Sequence, residues 1–127
     1  MTPKIIVHGG ASNANENEPE RQKDVINACK IGYEILLEKE AIDAVEIAIQ
    51  NLEASAYLNA GVGSYLQLDG RVRMDASIMK DDLSAGAVIG IEELNSLPAE
   101  GGLICIDKDG TIRYAYNTKF ITMHYIE

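Results

Sequence analysis

The stretch Lys4-Ile5-Ile6-Val7-His8-Gly9-Gly10 decides how this 127-residue sequence is interpreted. Its β-branched apolar residues predict a short buried strand at 4–7, because such side chains pack well in sheets. The two glycines predict the end of that strand. They would leave backbone N–H and C=O groups open to a cleft, since no side chain covers them. The alternative is an ordinary tight turn, with His8 a partly buried, hydrogen-bonded histidine.

Two amphipathic helices are predicted after a polar loop at 11–18. Pro19 suits the first turn of a helix, where its missing N–H costs nothing. Apolar residues then recur at helical spacing in two runs, which we expect to be core. The runs are Val25, Cys29, Gly32 and Leu36, then Ile42, Val45, Ala48, Ile49 and Leu52.

Beyond residue 53 the pattern is mainly that of strands. Asp69-Gly70 predicts a hairpin between 65–68 and 71–74, with 75–79 extending its second arm. The small apolar run 85–91 predicts a strand buried on both faces. A second hairpin is predicted from 102–106 and 111–116. The expected fold class is therefore α+β, a mixed or antiparallel sheet with two amphipathic helices on one face, in one domain spanning 1–127.

Composition excludes several classes of function. The chain carries 20 acidic and 11 basic residues, a net charge of −9. This charge opposes binding to nucleic acid, whose phosphates are recognised mainly by Lys and Arg. No apolar stretch reaches the roughly 20 residues needed to span a membrane. The amino-terminal segment is too short for a secretory signal, so we expect a cytoplasmic protein in which Cys29 and Cys105 remain thiols.

A second site-like segment is Leu58-Asn59-Ala60-Gly61-Val62-Gly63-Ser64. Asn59 could direct its amide at a reacting group, with the glycines shaping the loop around it; an ordinary loop leading into a strand is the alternative.

Surface turns explain Asp69, Asp81 and Asp82, while Asp75 suits a buried structural carboxylate. No nucleophile triad is evident, and the Gly110-Thr111 bond lies in a predicted hairpin turn, a poor place for a cut that would free a threonine nucleophile.

Taken together, several segments resemble the plant-type asparaginases, or isoaspartyl peptidases, which are N-terminal-nucleophile hydrolases. The matching segments are 5–11, 41–46, 52–53, 58–64, 74–79 and 82–88. Residues 1–91 resemble the front of the family's α subunit, and 101–127 resemble the closing strands of its β subunit. The resemblance implies a partial version of the αββα sandwich and an internally deleted or truncated member. The region between these parts would supply the threonine nucleophile, the substrate-gripping arginine and aspartate, and the oxyanion hole; this chain has no matching positions for them.

The resemblance also implies roles for individual residues. Asn59 matches the asparagine that faces the nucleophile's amine, and Gly9 and Gly10 match the flexible turn beside the scissile bond. A structural sodium ion is implied, held by backbone carbonyls; no other cofactor is expected. The matching positions are Leu52, Glu53, Ser55, Leu58, Ala60 and Val62. The sequence departs from the family at Ala54-Ser55-Ala56, where a proline is usual, and at Glu38-Lys39-Glu40, which replaces a glycine-rich turn and is expected to let the helices run on.

Three functions remain open on the sequence. The chain is an amidohydrolase by descent, acting on L-asparagine or a β-aspartyl peptide in its ancestral form, and inactive alone. Alternatively, it is half of a split enzyme whose partner chain supplies the threonine, or a binding and assembly module that kept the scaffold. Pairing at exposed strand edges favours a homo-oligomer or a complementing chain in each case.

Overall fold

The computed structural model of the chain describes residues 2–12, 16–74, 101–106 and 109–127. The elements in these ranges are β1 (Ile5–Ser12), α1 (Glu18–Leu36), α2 (Ala41–Glu53), a 3-10 turn (Gly61–Gly63), β2 (Gly102–Ile106), β3 (Ile112–Tyr116) and β4 (Phe120–Ile126). β1 pairs with β4 and β2 with β3, both antiparallel. The α+β class and the antiparallel pairing are confirmed. The αββα sandwich and the single domain remain predictions.

The sequence predicted that β1 would end at the two glycines, but the strand continues beyond them. It pairs with β4 from Ile5 opposite Ile126 as far as Ser12 opposite Phe120, with the register shifting between His8 and Ala11. Gly9 and Gly10 lie within this irregularity, and Gly10 has a φ of 110°. A β-bulge bends a strand without ending it. The predicted loop at 11–18 is correspondingly shorter, because its first two residues belong to β1.

α1 packs on the β1–β4 ribbon, and α2 packs against α1. Pro19 lies in the first turn of α1, as predicted. Val25, Ala28 and Cys29 are fully buried, and a Cβ on Gly32 would lie 2.7 Å from Ile5 Cδ1 and 3.1 Å from Ala48 Cβ. Gly32 therefore lets α1 approach both β1 and α2 closely.

The helices do not run on into each other at 37–40. α2 begins with a capping box, in which Glu40 accepts from the backbone of Asp43 while the Asp43 carboxylate accepts from the Glu40 N–H at 3.3 Å. Glu40 has an extended backbone, with φ −75° and ψ 157°. Such a cap satisfies the unpaired N–H groups of a helix start, so the acidic turn separates the helices as a glycine turn would.

The buried stripe of α2 is narrower than predicted. Ala44, Ala48 and Leu52 are buried, whereas Val45 and Ile49 are each 45% exposed. The small alanines face α1, where the close helix approach leaves no room for larger side chains. Val45 and Ile49 instead line a groove of about 630 Å³ between β1, α2 and β2, whose lining is predominantly apolar.

The predicted hairpin of 102–106 and 111–116 is present as β2 and β3, with Gly102 opposite Tyr116 and Ile106 opposite Ile112. The local pattern gave no strand beyond 116, although the resemblance implied closing strands over 101–127 and the aromatic and β-branched residues of β4 favour a strand. β4 packs against α1. Gln22 Nε2 donates to the Met123 carbonyl at 3.1 Å, and the Cys29 thiol lies 3.6 Å from the His124 carbonyl.

The predicted hairpin around Asp69-Gly70 is wrong in part. A turn forms there, closed by the Gly70 N–H on the Gln67 carbonyl at 2.8 Å, but residues 65–68 and 71–74 are not strands. These flanks are largely exposed, so no core-facing side selects a strand. The predicted strand segments 75–79 and 85–91 lie outside the described residues, as do Asp75, Asp81 and Asp82.

Candidate functional site

The glycine bulge of β1 packs directly on α1 and on the loop after α2. A Cβ on Gly9 would lie 2.6 Å from Val25 Cγ2 and 2.7 Å from Leu58 Cδ2. Real side-chain carbons do not approach so closely, so only glycine fits at this position without a rearrangement. Leu58 is 1% exposed and immediately precedes Asn59. The fold thus brings the two predicted site segments, 8–10 and 58–64, into contact.

His8 is neither an open catalytic base nor a simple turn residue. Its Nδ1 accepts a hydrogen bond from the Gly10 N–H at 3.2 Å, which closes the bulge locally. Burial lowers the pKa of His8 below its usual value, because the imidazolium would lose hydration. The sequence-based alternative of a partly buried, hydrogen-bonded histidine is therefore confirmed, but within a bulge.

Asn59 lies exposed at the start of the loop that returns toward Tyr65. Its Oδ1 accepts the Tyr65 N–H at 2.8 Å, which closes the loop around the 3-10 turn. The acceptor end of the amide is thereby held by the loop, while Nδ2 donates to none of the described residues. The hydrogen bond thus fixes the orientation of the Asn59 amide within its own loop. The role of this amide toward a nucleophile's amine remains a prediction.

The proposed sodium loop shows a convergence of backbone carbonyls. A Cβ on Gly61 would overlap the Glu53 carbonyl oxygen, and a Cβ on Gly63 would overlap that of Leu58 and lie 2.8 Å from that of Ser55. Gly61 also has a positive φ of 50°. Three of the six predicted carbonyl positions therefore crowd the same short turn, a donor set suited to a hard cation. Of these three, the Leu58 carbonyl also accepts the Ala60 N–H at 2.8 Å. The other three predicted positions are Leu52, Ala60 and Val62, and the carbonyls of Leu52 and Ala60 accept backbone N–H groups at 3.1 Å each.

Ser55 anchors this loop where the resemblance leads one to expect a proline. Its Oγ donates to Asp24 Oδ2 at 2.6 Å and accepts the Tyr57 N–H at 3.1 Å. Ser55 is 6% exposed, so the pair ties the loop to α1 in a largely dry environment. A hydrogen bond to a charged partner is stronger than a neutral one. Two side-chain contacts of Ser55 thus restrain the loop within 54–56, the segment in which a proline is usual in the family.

Sequence reasoning also missed a buried charged cluster beside Gly10. Arg21 is 8% exposed and forms an ion pair with Glu18, at 3.7 Å between Nη1 and Oε2. Thr122 Oγ1 lies 2.9 Å from Glu18 Oε1 and 3.1 Å from Oε2, which joins the cluster to β4. The helical pattern gave one signal that Arg21 is buried. Arg21 precedes Val25 by four residues and so lies on the same buried face of α1.

Other candidate residues have structural explanations. Cys29 and Cys105 are both free thiols, as expected, and burial raises the pKa of Cys29 to about 11, which disfavours a reactive thiolate. Asp69 is a surface-turn residue paired with Arg73, also as expected. Gly110, with φ 79°, lies with Thr111 in the turn before β3. Within the described ranges, no group of three or more His, Cys, Asp or Glu side chains could hold a metal.

Comparison with known proteins identifies the class. The sequence model of the family described as Asparaginase matches residues 1–97. The chain therefore belongs to the asparaginase family, and the resemblance stated from the sequence is confirmed. The described residues contain no helix long and apolar enough to cross a membrane.

Individual relatives narrow the comparison. The chain is 47% identical over 95 residues to the isoaspartyl peptidase/L-asparaginase of Bos taurus, covering 72% of this chain and 31% of that protein. The human protein of the same name is 46% identical over 96 residues, at the same coverages. The plant-type L-asparaginase of Pyrococcus horikoshii is 48% identical over 90 residues, 68% of this chain and 30% of that protein. The chain thus spans less than a third of the length of these relatives. No solved structure matches it significantly.

Protonation of His8 is expected to destabilise the fold as the pH falls. The lowered pKa in the folded state means that the unfolded chain binds more protons just below pH ~6.5, the usual histidine value. The contribution of neutral His8 is therefore fully present above that pH, and declines as the pH falls through ~6.5 toward the folded-state value. Urea unfolding of the wild type and of His8→Asn between pH 7.5 and 5 measures this.

Asn at position 8 retains an acceptor for the Gly10 N–H but does not titrate. The unfolding free energy of the wild type should therefore fall more steeply with decreasing pH than that of the variant. Parallel profiles would show that His8 is not held neutral by the fold.

Proposed function

We propose that this chain forms one part of an amide hydrolase site that acts on L-asparagine or a β-aspartyl amide, and that it is inactive alone. The observation that carries the proposal is the contact between the glycine bulge and the Asn59 loop, inside the segment matched by the asparaginase family. The relatives are named for this activity, as isoaspartyl peptidase/L-asparaginase and plant-type L-asparaginase. The nucleophile must come from residues without a counterpart in this chain.

The residues of this chain would position the reacting groups, and none of them would act as the nucleophile. Asn59, held through Oδ1 by the Tyr65 N–H, would present its amide to the nucleophile's amine. Gly9 and Gly10 would border the scissile bond of the precursor, where the absence of side chains lets another backbone approach. Asn59 is exposed in this chain, so the second part would have to exclude water from it. Such fixed dipoles would then stabilise developing charge without reorganising during the reaction.

We propose a complementing chain, or another copy in a homo-oligomer, as the source of the missing part. β1 pairs with β4 along one edge and with no other described strand, and the groove beside it is lined by Ile6, Val45, Ile49 and Ile104 among others. An apolar strand from the complementing chain would add to β1 and fill this groove. A non-catalytic assembly module on the same scaffold is the alternative, and it would use the same groove without the chemistry.

We further propose that the loop after α2 holds a structural sodium ion. The carbonyl oxygens of Glu53, Ser55 and Leu58 would provide ligands at the crowded turn, with Leu52, Ala60 and Val62 as the remaining candidates. Bound there, the ion would fix the loop that carries Asn59 and would take no part in bond breaking. The Asp24–Ser55 hydrogen bond supports the same loop from outside.

Mixing experiments test the proposed function. The purified chain is expected to release no ammonia from L-asparagine and to keep its intact mass. Ammonia release should appear when the chain is mixed with the part of the Pyrococcus horikoshii protein that this chain does not match. In the mixture, Asn59→Ala should lower the rate by about 10² or more, the usual cost of removing one positioned polar group.

Asn27→Ala is the matched control, because Asn27 is exposed on α1. That variant should leave the rate unchanged. Ammonia release by the chain alone would overturn the requirement for a second part. Stable association of the two parts, shown by size-exclusion chromatography, without ammonia release would favour the assembly module and contradict the proposed hydrolysis.

The sodium proposal predicts stabilisation by Na⁺ beyond an ionic-strength effect. A ligand that binds only the folded state raises the melting temperature as its concentration passes its Kd. Thermal unfolding in NaCl should therefore occur at higher temperature than in choline chloride at equal ionic strength. Equal melting temperatures across a concentration series would contradict the site.

A further inference from the structure

The Arg21 guanidinium is a buried charge with few partners. The side chain is only 10% exposed, and its polar contact among the described residues is the 3.7 Å ion pair from Nη1 to Glu18. Nε is buried and has no hydrogen-bond partner. A buried polar group without a partner costs roughly 1–3 kcal/mol, and more when charged. A ligand that accepted a hydrogen bond from Nε would offset this cost.

The unpartnered Nε lies on the side of the guanidinium fork away from Glu18. Nη1 faces Glu18, whereas Nε and Nη2 form the other pair of parallel N–H donors. Such a pair matches the two oxygens of a carboxylate. Nη2 lies on the side of Gly10, 3.8 Å from the position that a Cβ there would occupy.

The described residues leave the space in front of Nη2 open. Among them, Nη2 is the only heavy atom that a Cβ on Gly10 would meet within 4 Å. Gly10 also has a φ of 110°, a conformation that residues with side chains rarely adopt. The bulge therefore keeps the space in front of Nη2 free of any side chain of its own.

We propose that Arg21 forms a binding site for a small monocarboxylate over Gly10, with the ligand's two oxygens on Nε and Nη2. Nε is buried in the unliganded chain, so binding would require the guanidinium to move until Nε reaches the ligand. Because Glu18 already neutralises part of the charge, a singly charged planar anion suits the site better than phosphate. The first turn of α1, in which Arg21 lies, adds a favourable field for an anion. The site is independent of the proposed amide hydrolysis, since it requires binding alone.

Nuclear magnetic resonance titration with sodium acetate tests this site, with chloride used to hold the ionic strength constant. The Arg21 Nε–Hε and Gly10 amide resonances should shift together and saturate. Arg21→Lys should weaken binding about tenfold or more, because lysine lacks the planar fork. Lys23→Gln is the matched control, since it removes an exposed charge two residues away on the same helix; its affinity should equal that of the wild type.

Glu18→Gln provides a second measurement if Arg21→Lys fails to fold. Glutamine retains an acceptor for Thr122 but removes the competing charge, so acetate should bind several-fold more tightly. Unsaturable shifts, unchanged affinity in Arg21→Lys, or unchanged or weaker affinity in Glu18→Gln would each overturn the proposal. Phosphate binding as tightly as acetate would overturn its assignment to a monocarboxylate.

Discussion

The close packing of Gly9 against Val25 and Leu58 is the constraint on which the rest of the site depends. It joins three elements at one point: the β1 bulge, the buried face of α1 and the loop after α2. Interiors are packed to crystal-like density, so a single added carbon at such a point must displace a neighbour. Because Leu58 precedes Asn59 in the chain, this one contact also determines where the candidate asparagine lies relative to the glycine turn.

Charged groups support the same region from two sides. On one side, Asp24 holds the Ser55 hydroxyl and, through it, the turn toward Tyr57. On the other, Glu18 links Arg21 to Thr122 across the start of α1. The carboxylates of Glu18 and Asp24 lie in the first two turns of α1. This helix therefore supports both the loop after α2 and the glycine bulge. The arrangement is one of positioning: among the described residues, these elements present backbone groups and an amide rather than an activated nucleophile.

Much of the fold followed from the sequence where local patterns and tertiary packing agree. The two helices, the β2–β3 hairpin and the first turn at Pro19 all carry strong local signals. The errors have tertiary causes. β1 continues through its glycines because β4 supplies a partner on the far side of the bulge, where Ser12 pairs with Phe120. A strand so distant in the sequence leaves no mark on local periodicity. Val45 and Ile49 fit the helical stripe, but the close approach at Gly32 selects the alanines instead. For the site, the segments 8–10 and 58–64 were recognisable by composition and resemblance. Arg21 was not, because its significance lies in burial beside Gly10.

Nuclear magnetic resonance can measure the Gly9–Leu58 contact directly in the 13.8 kDa chain. With the Gly9 and Leu58 resonances assigned, we predict strong nuclear Overhauser cross-peaks between the Gly9 Hα protons and the Leu58 δ-methyl groups, along with cross-peaks to the Val25 γ-methyls. Their presence would place the glycine bulge against the Asn59 loop. Cross-peaks to Val25 alone, with assigned but unconnected Leu58 methyls, would separate the two segments and contradict the site described for this chain.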